Sequence, residues 1–485
     1  MQRNANQLKF VKSVGILHFI GIGGIGMSGI VEILHNLGYQ VQGSDLVEND
    51  NIKRIRDLGI NVHIGHNALN IKNVAVVVKS SAIKDDNPEI FAAREKRIPV
   101  IKRSEMLAEI MCLKTSVAVS GSHGKTTTTS LVACLFESAN LNPTVINGGI
   151  INKFGTNAYL GSGDYLVAEA DESDETFIKI SATIGVVTNI DPEHLDFYGS
   201  FDRLKAAYLA FFENLPFYGF GVACIDHPEV RNLVKKITDK EVITYGIESS
   251  DADIRAVNIR QIADKFTFDV KISPRLAKNY SEIKDVILPM AGIHNVLNSL
   301  SAIAIGVKLE FKMEVIVSGF ASFEGVKRRF TKVAEVSGVT IIDDYAHHPE
   351  EIKATLKTAR TIIKKDSSNK IITIMQPHRY SRLDNLFLDF SKCFADTDIA
   401  YIAEIYSAGE EPIKGITSSA LVEALNTNNP SIDAKLLNSP DDIAKIVKEH
   451  AKPGDMVIFL GAGSITKWAY DLPSQLEKLN VKIFS

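Results

Sequence analysis

A short stretch rich in glycine and threonine, GSHGKTT, begins at Gly121 and follows the apolar run SVAVS. It fits the pattern GxxGK[ST], which is shorter than the phosphate-loop pattern GxxxxGK[ST]. In such a turn backbone N–H groups hold phosphate oxygens, the lysine ammonium offsets their charge, and a threonine hydroxyl can bind Mg²⁺. The stretch therefore predicts a phosphate site made of Gly121, Ser122, His123, Gly124, Lys125, Thr126 and Thr127.

A second glycine turn, GIGGIG, lies between a predicted strand and a predicted helix. Gly21, Gly23 and Gly26 satisfy the pattern GxGxxG, with Gly24 inside it, and Asp45 follows at the end of the next strand. Such a turn can hold a pyrophosphate, and the later carboxylate is placed to bind a ribose. The pyrophosphate can belong to the dinucleotide of an oxidoreductase or to a UDP-sugar. A turn that only packs a helix on a strand is a further alternative.

Acidic residues follow the apolar run YLVA in the segment EADESDE, which begins at Glu169. Carboxylates at the end of a strand beside a phosphate loop are placed to bind Mg²⁺, although a solvated acidic loop has the same composition. The segment NIDPEHLD holds His194 among acids. Spacing alone favours neither a metal ligand nor a hydrogen-bonded loop residue for this histidine.

Two polar segments, DDYAHHP and QPHRYSR, each close a predicted strand in the last third of the chain. The second carries Arg379 and Arg382, which are close enough to recognise a carboxylate, although surface arginine pairs are common. The adjacent histidines His347 and His348 do not predict zinc, because neighbouring residues cannot easily share a tetrahedral site.

The elements that must position these residues alternate short β-branched runs with helical runs, which is typical of α/β proteins. The sequence predicts an α/β fold of three domains, with a Rossmann-like N-terminal domain, a P-loop-type central ATPase domain and a Rossmann-like C-terminal domain. We place them at residues 1–112, 113–323 and 324–485.

The length, net charge and cysteine content limit the classes to which the protein can belong. A chain of 485 residues predicts two to four domains, and a net charge of −4 argues against a nucleic-acid or membrane partner. The four cysteines are scattered, and the polar N-terminus lacks a signal-peptide pattern. We therefore expect a cytoplasmic protein.

In order along the chain, these motifs resemble the Mur ligase family, and the resemblance covers nearly the whole sequence. It runs through GIGGIGMSGI, GSHGKTTT, EADESDETF, TNIDPEHLD, GIHNVLN, GVKRRF, DDYAHHPEEI, QPHRYSR, IYSAGEEPIKGI and LGAGSI. The family implies that ATP phosphorylates a substrate carboxylate and that the amine of an amino acid attacks the acyl phosphate. The alanine-adding branch is the most similar, which implies UDP-N-acetylmuramate and L-alanine as substrates, with ATP and Mg²⁺.

The resemblance also implies roles for individual residues. The reaction centre would contain Lys125, Glu169, His194 and Arg329, with Thr126, Glu169 and His194 as metal ligands. ATP would contact the loop from Gly121 to Thr127 and also His294, Asn295, Asn298 and Asp344. The UDP-sugar would contact Gly21, Gly23, Gly24, Gly26, Ser44, Asp45, Ser80 and Ser81. The amino acid would be framed by Tyr345, His347, Arg379 and Arg382.

One position departs from the family pattern. Several sibling ligases carry a carbamylated lysine a few turns after the metal-binding histidine, where this chain has Tyr208, with Lys205 one turn earlier. The alanine-adding branch fits this departure, but the coordination of a second metal stays open. A sibling that adds a whole peptide and an NAD-dependent oxidoreductase are the alternatives. A monomer or homodimer is expected, with domain closure during turnover.

Overall fold

The computed structural model describes residues 14–80, 82–173, 176–262, 264–363 and 368–481. By their internal contacts the residues form two compact units. The first consists of Met1–Arg260, Thr267–Pro289 and Val296–Glu324, and the second of Gln261–Phe266, Met290–Asn295 and Gly325–Ser485. Three sheets flanked by helices confirm the predicted α/β class, while the domain limits at 112 and 323 stay predictions.

The first sheet has five strands in the order β3-β2-β1-β4-β5, and every neighbouring pair is parallel. Its strands are β1 (Ile16–Ile20), β2 (Gln40–Asp45), β3 (Asn61–Ile64), β4 (Val74–Lys79) and β5 (Val100–Lys102). Its helices are α1 (Ile25–Asn36), α2 (Asp50–Asp57), α3 (Pro88–Glu95) and α4 (Arg103–Met111). This order is that of a Rossmann-like half, as predicted.

The start of the chain shows why these residues form these elements. Leu17 to Ile20 are all buried, as expected for a central parallel strand covered on both faces. Helix α1 ends at Asn36, and Gly38 follows with a φ of 90°, the left-handed conformation that commonly ends a helix. Gly38 therefore marks the end of this helix.

The second sheet has ten strands in the order β15-β14-β13-β12-β11-β10-β6-β9-β7-β8. Its strands are β6 (Thr115–Ser120), β7 (Thr144–Ile151), β8 (Thr156–Tyr159), β9 (Tyr165–Glu169), β10 (Ile184–Val187), β11 (Phe220–Cys224), β12 (Glu241–Gly246), β13 (Ile254–Ile262), β14 (Lys265–Ile272) and β15 (Glu282–Leu288). The run from β13 to β7 is parallel, and β8 is antiparallel to β7. The helices of this region are α5 (Lys125–Ser138), α6 (Leu195–Tyr198), α7 (Phe201–Glu213), α8 (Pro228–Val234), α9 (Ile293–Lys308) and α10 (Met313–Ser318).

The third sheet, in the second unit, has six strands in the order β16-β17-β21-β18-β19-β20. Its strands are β16 (Thr331–Val336), β17 (Val339–Asp344), β18 (Ile371–Met375), β19 (Ile399–Ile402), β20 (Asp433–Leu436) and β21 (Met456–Leu460). Only β16 is antiparallel to its neighbour. The helices are α11 (Pro349–Ile363), α12 (Tyr380–Asn385), α13 (Phe387–Phe390), α14 (Ser418–Asn428), α15 (Ile443–His450) and α16 (Ile465–Val481).

Within the first unit, helix α1 packs closely on strand β8. A Cβ added at Gly29 would lie 2.7 Å from the Cβ of Ala158, so only glycine allows this approach. The Asn157 amide donates to the Ile25 carbonyl at 2.5 Å, and Arg54 donates to Asn157 at 3.3 Å. These contacts join the first sheet to the second.

The cysteines differ in their exposure to solvent. Cys134, Cys224 and Cys393 are buried, Cys112 is exposed, and all four thiols are free. Across the described ranges, none of the helices has both the length and the apolar character that a membrane span requires.

Candidate active site

The predicted phosphate loop connects β6 to α5. Gly121 has a φ of 132°, and a Cβ at this position would overlap the hydroxyl of Thr188. Residues that follow β10 hold the loop, because Asn189 Oδ1 accepts the His123 N–H at 2.7 Å and the Thr188 hydroxyl donates to the His123 carbonyl at 2.7 Å. The loop is therefore fixed in two ways. Its backbone conformation at Gly121 requires glycine, and it is hydrogen-bonded to the end of a neighbouring strand.

The rest of the loop is equally constrained. Gly124 has a φ of 81°, and a Cβ there would lie 2.8 Å from Asn298 Oδ1, which puts this predicted ATP residue beside the loop. The Ser122 hydroxyl accepts the Asp191 N–H at 2.8 Å, and Thr127 is buried at the start of α5. The residues predicted from the motif in the first unit are thus brought together.

Lys125 turns its ammonium towards its own loop. It donates to the carbonyls of Gly121 at 2.6 Å and Ser122 at 3.0 Å, and to the Glu172 carboxylate at 2.9 Å. Glu172 is fully buried, and Lys125 nearly so. Burial lowers the pKa of Lys125, but the carboxylates of Glu172 and its neighbours outweigh that effect, and the pKa lies above its usual range. Lys125 is therefore a permanent cation.

Thr126 and Glu169 are in direct contact. The Thr126 hydroxyl donates to Glu169 Oε2 at 2.9 Å, and the same oxygen accepts the Gly148 N–H at 2.8 Å. A hydroxyl beside a carboxylate is an oxygen donor set of the kind that Mg²⁺ prefers. These two residues fit the metal role predicted for them.

A second group of side chains in the first unit could hold a cation. Glu172, Glu193 and His194 each offer one ligand atom, and these atoms lie within 4.8 Å of one another. The His194 Nε2 is 3.7 Å from Glu172 Oε1. Sequence reasoning named His194 but gave no role to Glu172 or Glu193. Both stand in the quoted acidic motifs, but their convergence with His194 depends on how two separate loops fold.

Tyr208, for which the resemblance predicts the position of the siblings' modified lysine, is a core residue of α7. Its ring meets Phe177 edge-on with centroids 5.2 Å apart, and its buried hydroxyl has no hydrogen-bond partner among the residues described. Lys205 contacts Asp202 at 2.8 Å and Glu229 at 3.6 Å. Its ammonium is thus engaged by other carboxylates.

The ends of three parallel strands bring the predicted UDP-sugar residues to one edge of the first sheet. The Gly21 N–H donates to the Ser44 carbonyl at 2.8 Å, and the Ser80 N–H donates to the Ile20 carbonyl at 3.2 Å. Gly21, Ser44 and Ser80 therefore lie together. Ser81 lies outside the described residues.

The remaining residues of this edge shape the glycine turn. Asp45 Oδ2 accepts the Gly23 N–H at 2.8 Å, so the carboxylate holds the turn itself. Gly24 immediately precedes α1, and a Cβ at Gly26 would lie 3.0 Å from the Arg103 guanidinium. The start of α1 is thus positioned to present N–H groups to an anion.

A buried polar network lies behind this edge. The Ser44 hydroxyl donates to Glu89 at 2.7 Å and contacts His66 Nδ1 at 3.0 Å, while His18 and Asn70 contact the same carboxylate at 3.2 and 2.6 Å. Burial alone would raise the pKa of Glu89, but its hydrogen bonds outweigh burial and lower it. Sequence reasoning missed Glu89 and His66, because no local motif links α3 to the strand ends.

The second unit holds the remaining predicted ATP residues. Asp344 ends β17 and accepts the N–H groups of Phe330 at 2.6 Å and Ala346 at 2.7 Å. Burial raises the pKa of Asp344 to about 6. His294 and Asn295 lie in the first turn of α9. The Asn295 side-chain amide donates to the carbonyl of Ala291, just before the helix, at 2.7 Å.

Arg329 and the residues after β17 form one cluster in the second unit. The Arg329 guanidinium lies 5.3 Å from the Tyr345 ring centroid and 3.8 Å from Glu351. His347 Nδ1 is 2.9 Å from the Tyr345 carbonyl and 3.3 Å from Glu351. Glu351, which sequence reasoning missed, therefore links Arg329 to His347.

The predicted carboxylate-binding arginines lie next to this cluster. Arg382 Nη1 donates to the His378 carbonyl at 3.2 Å, and Arg379 Nε is 3.9 Å from Glu410. The rings of His347 and His378 are 6.0 Å apart. The second unit thus brings all four predicted amino-acid residues into one neighbourhood. His378 and Glu410 were present in the quoted motifs without an assigned role.

A glycine-lysine loop, two side-chain groups that could hold a cation and a glycine turn at a parallel-sheet edge are together typical of multidomain α/β proteins that bind phosphates. Models of the Mur ligase family match three successive parts of the chain: the Mur ligase catalytic domain at residues 16–115, the Mur ligase middle domain at 119–306, and the Mur ligase, glutamate ligase domain at 328–463. The chain belongs to the Mur ligase family, as predicted.

Individual relatives are similar over almost the full length. UDP-N-acetylmuramate–L-alanine ligase of Rickettsia typhi is 58% identical over 96% of this chain and 93% of its own, and that of Rickettsia felis is 59% identical over 95% and 96%. The crystal structure of UDP-N-acetylmuramate-alanine ligase from Thermotoga maritima covers 96% of this chain and all of its own, with a TM-score of 0.79 and 28% identity. A murein peptide ligase from Psychrobacter arcticus shares the fold at 22% identity, with a TM-score of 0.69, over 95% of this chain and 98% of its own.

Proposed function

We propose that this chain joins L-alanine to the lactyl carboxylate of UDP-N-acetylmuramate with consumption of ATP, which gives UDP-N-acetylmuramoyl-L-alanine, ADP and phosphate. The observation that carries this proposal is 58% identity over 96% of the chain to a relative that bears that activity in its name. The reaction belongs to the synthesis of peptidoglycan precursors.

The first step is phosphoryl transfer. A carboxylate oxygen attacks the γ-phosphorus, the bond to the β-phosphate oxygen breaks, and an acyl phosphate and ADP form. Lys125 supplies a fixed positive charge for the transferring group, and the N–H groups of the loop around it hold the neighbouring oxygens. The contacts of Lys125 with loop carbonyls and Glu172 support this role, because they keep the ammonium at the mouth of the loop.

The second step is amide formation. The amine attacks the carbonyl carbon of the acyl phosphate, a tetrahedral intermediate forms, and its collapse expels phosphate. We propose that Arg379 and Arg382 hold the carboxylate of the amino acid, with Tyr345 and His347 beside it. Arg329, His294, Asn295 and Asp344 are proposed as ATP contacts of the second unit.

The donor sets of the first unit fit Mg²⁺. Thr126 with Glu169 would hold one ion, and His194 with Glu172 and Glu193 would hold another. When bound, Mg²⁺ would neutralise phosphate charge and so favour attack by an anionic carboxylate. We further propose that the reaction takes place in the cytoplasm, where ATP and UDP-linked sugars are available.

The alternatives are less well supported. A dinucleotide oxidoreductase has no use for a lysine phosphate loop, and the family match makes the first glycine turn a UDP-sugar site in this proposal. A peptide-adding sibling is represented by a structure at 22% identity, which supports the shared fold alone.

The test is phosphate release measured with UDP-N-acetylmuramate, Mg²⁺-ATP and one amino compound at a time: L-Ala, L-Ser, Gly or the tripeptide. We expect ADP and phosphate in equal amounts with L-Ala as the preferred substrate, and none when the UDP-sugar is omitted. Release that requires the tripeptide, or no release with any compound, would overturn the proposal.

A further inference from the structure

The backbone of Arg379 is strained. Its φ of 72° and ψ of 137° are a combination that residues with a side chain rarely adopt. Such strain persists only where the surroundings enforce it. Here the segment after β19 enforces it, because the Arg379 N–H donates to the Tyr406 carbonyl at 2.8 Å and the Tyr406 N–H donates to the Pro377 carbonyl at 2.8 Å.

The same segment fixes the ring of His378. The imidazole stacks on Tyr406, with centroids 5.3 Å apart and planes 14° from parallel. Its Nδ1 lies 3.3 Å from Arg382 Nη1. Burial, followed by the charge of Arg382, lowers the pKa of His378 to about 4, so the ring beside the arginines is neutral near pH 7.

Tyr406 is exposed, but Gly463 and His378 both lie against its ring. A Cβ at Gly463 would lie 2.9 Å from Tyr406 Cγ and 2.6 Å from Gln376 Oε1. The turn after β21 therefore lies directly against the ring, and His378 is stacked on it. Tyr406 is an exposed aromatic surface that adjoins Arg379 through the backbone and Arg382 through the stacked ring of His378.

We infer that Tyr406 is a specificity-determining residue, whose ring forms the wall that limits the side chain of the incoming amino acid to about the size of a methyl group. This inference rests on the proposed function, because it takes Arg379 and Arg382 as the anchors of the amino-acid carboxylate. Tyr406 adjoins both anchors, through the Arg379 backbone and through the ring of His378, so we place its ring at the edge of the space that the amino-acid side chain would occupy.

The experiment compares kcat/KM for Gly, L-Ala, L-2-aminobutyrate and L-Val in the full-length enzyme. In Tyr406→Ala, we expect the preference for L-Ala over L-2-aminobutyrate to fall by about tenfold or more, which is the size of discrimination that one methylene gives in an apolar pocket. Tyr406→Phe is the matched control and should keep the wild-type preference, because the ring and not the hydroxyl forms the wall.

A second variant tests the wall from its other side. Gly463→Ala should push the Tyr406 ring towards the proposed amino-acid site. The ratio of kcat/KM for L-Ala to that for Gly should then fall, since glycine needs no room for a side chain. Unchanged preferences in Tyr406→Ala and Gly463→Ala, together with activity on L-Ala, would overturn the inference alone. A wild-type enzyme that releases no phosphate with any of these amino acids would instead overturn the proposed function.

Discussion

At the scale of single residues, the most consequential contact is that between Lys125 and Glu172. In Lys125→Ala, we expect ADP formation to fall by about a hundredfold to a thousandfold, because the transferring phosphoryl group loses its fixed charge. The measurement is a coupled ADP assay at saturating UDP-sugar. Lys153→Ala, which removes a more exposed lysine near Glu137 in the same unit, is the control and should leave the rate unchanged.

The same substitution leaves the buried Glu172 without its partner, so a thermal melt must accompany the assay. The double variant Lys125→Ala, Glu172→Gln removes the unpaired charge and should recover the melting temperature but not the rate, because it also lacks a proposed metal ligand. Activity near the wild-type level in either variant would contradict the role of Lys125.

The neutral ring of His378 predicts a pH dependence of stability. A histidine with a pKa of about 4 in the folded chain and about 6.5 in the unfolded chain binds more protons when unfolded, so its contribution favours unfolding as pH falls from about 6.5 to 4. We expect His378→Gln to lose less stability than the wild type between pH 7 and 5, measured by urea unfolding.

The comparison must be between variant and wild type. Asp344 contributes to the pH dependence of stability with the opposite sign. Burial raises its pKa to about 6, so the folded form retains a proton that the unfolded chain has lost. An equal loss of stability in His378→Gln and wild type would show that the imidazole is not desolvated.

Motif spacing predicts the glycine-lysine loop and the acids that follow β9 beside it, whereas a position for Asn298 near this loop follows only from the family resemblance. Glu172, Glu193, Glu89 and Tyr406 could not be assigned roles, although three of them stand inside or beside quoted motifs. Their importance depends on which loops converge and on burial, neither of which a local pattern contains.

At the scale of elements, the contact between α1 and β8 gives a stability prediction with an unusual sign. Alanine is favoured over glycine in a helix by about 1 kcal/mol, but at Gly29 its Cβ would lie 2.7 Å from that of Ala158. We expect Gly29→Ala to destabilise the protein by about 1–3 kcal/mol, measured by urea unfolding.

Two further variants make this prediction specific. Adding Ala158→Gly should recover part of the loss, since it removes the opposing Cβ. Gly26→Ala, on the same helix, meets only the far end of the flexible Arg103 side chain and should be nearly neutral or stabilising. A destabilisation of equal size in both glycine variants would mean that helix α1, and not the close approach, is responsible.

Strands such as β1, β6, β9, β10, β17 and β21 were predictable because continuous apolar runs bounded by glycine or acids are typical of buried parallel strands. The order of the strands within each sheet was not predictable. The run β13 to β15 extends the second sheet to ten strands, and the packing of Gly29 joins the first sheet to it, which are facts of tertiary pairing.

At the scale of the whole molecule, the chemistry itself demands protection of an intermediate. An acyl phosphate exposed to water would hydrolyse, so we predict that the chain becomes more compact when the UDP-sugar and a non-hydrolysable ATP analogue are both bound. Small-angle X-ray scattering should show a decrease in radius of gyration with both ligands, and a smaller one with either alone.

Lys125→Ala provides the control for this measurement. With its phosphate contacts weakened, it should compact less than the wild type at the same concentration of analogue. An unchanged radius of gyration in the wild type with both ligands would contradict closure.

The strained backbone at Arg379 has a consequence for efforts to make this protein more robust. Glycine would adopt that conformation without penalty, so a procedure that selects the most comfortable residue at each position would replace the arginine. The resulting protein would gain resistance to heat and lose one of the two guanidinium groups that we propose to hold the amino-acid carboxylate. Thermal stability and this proposed recognition would thus be opposed at one peptide unit, and a stabilised variant would have to gain its stability elsewhere in the chain.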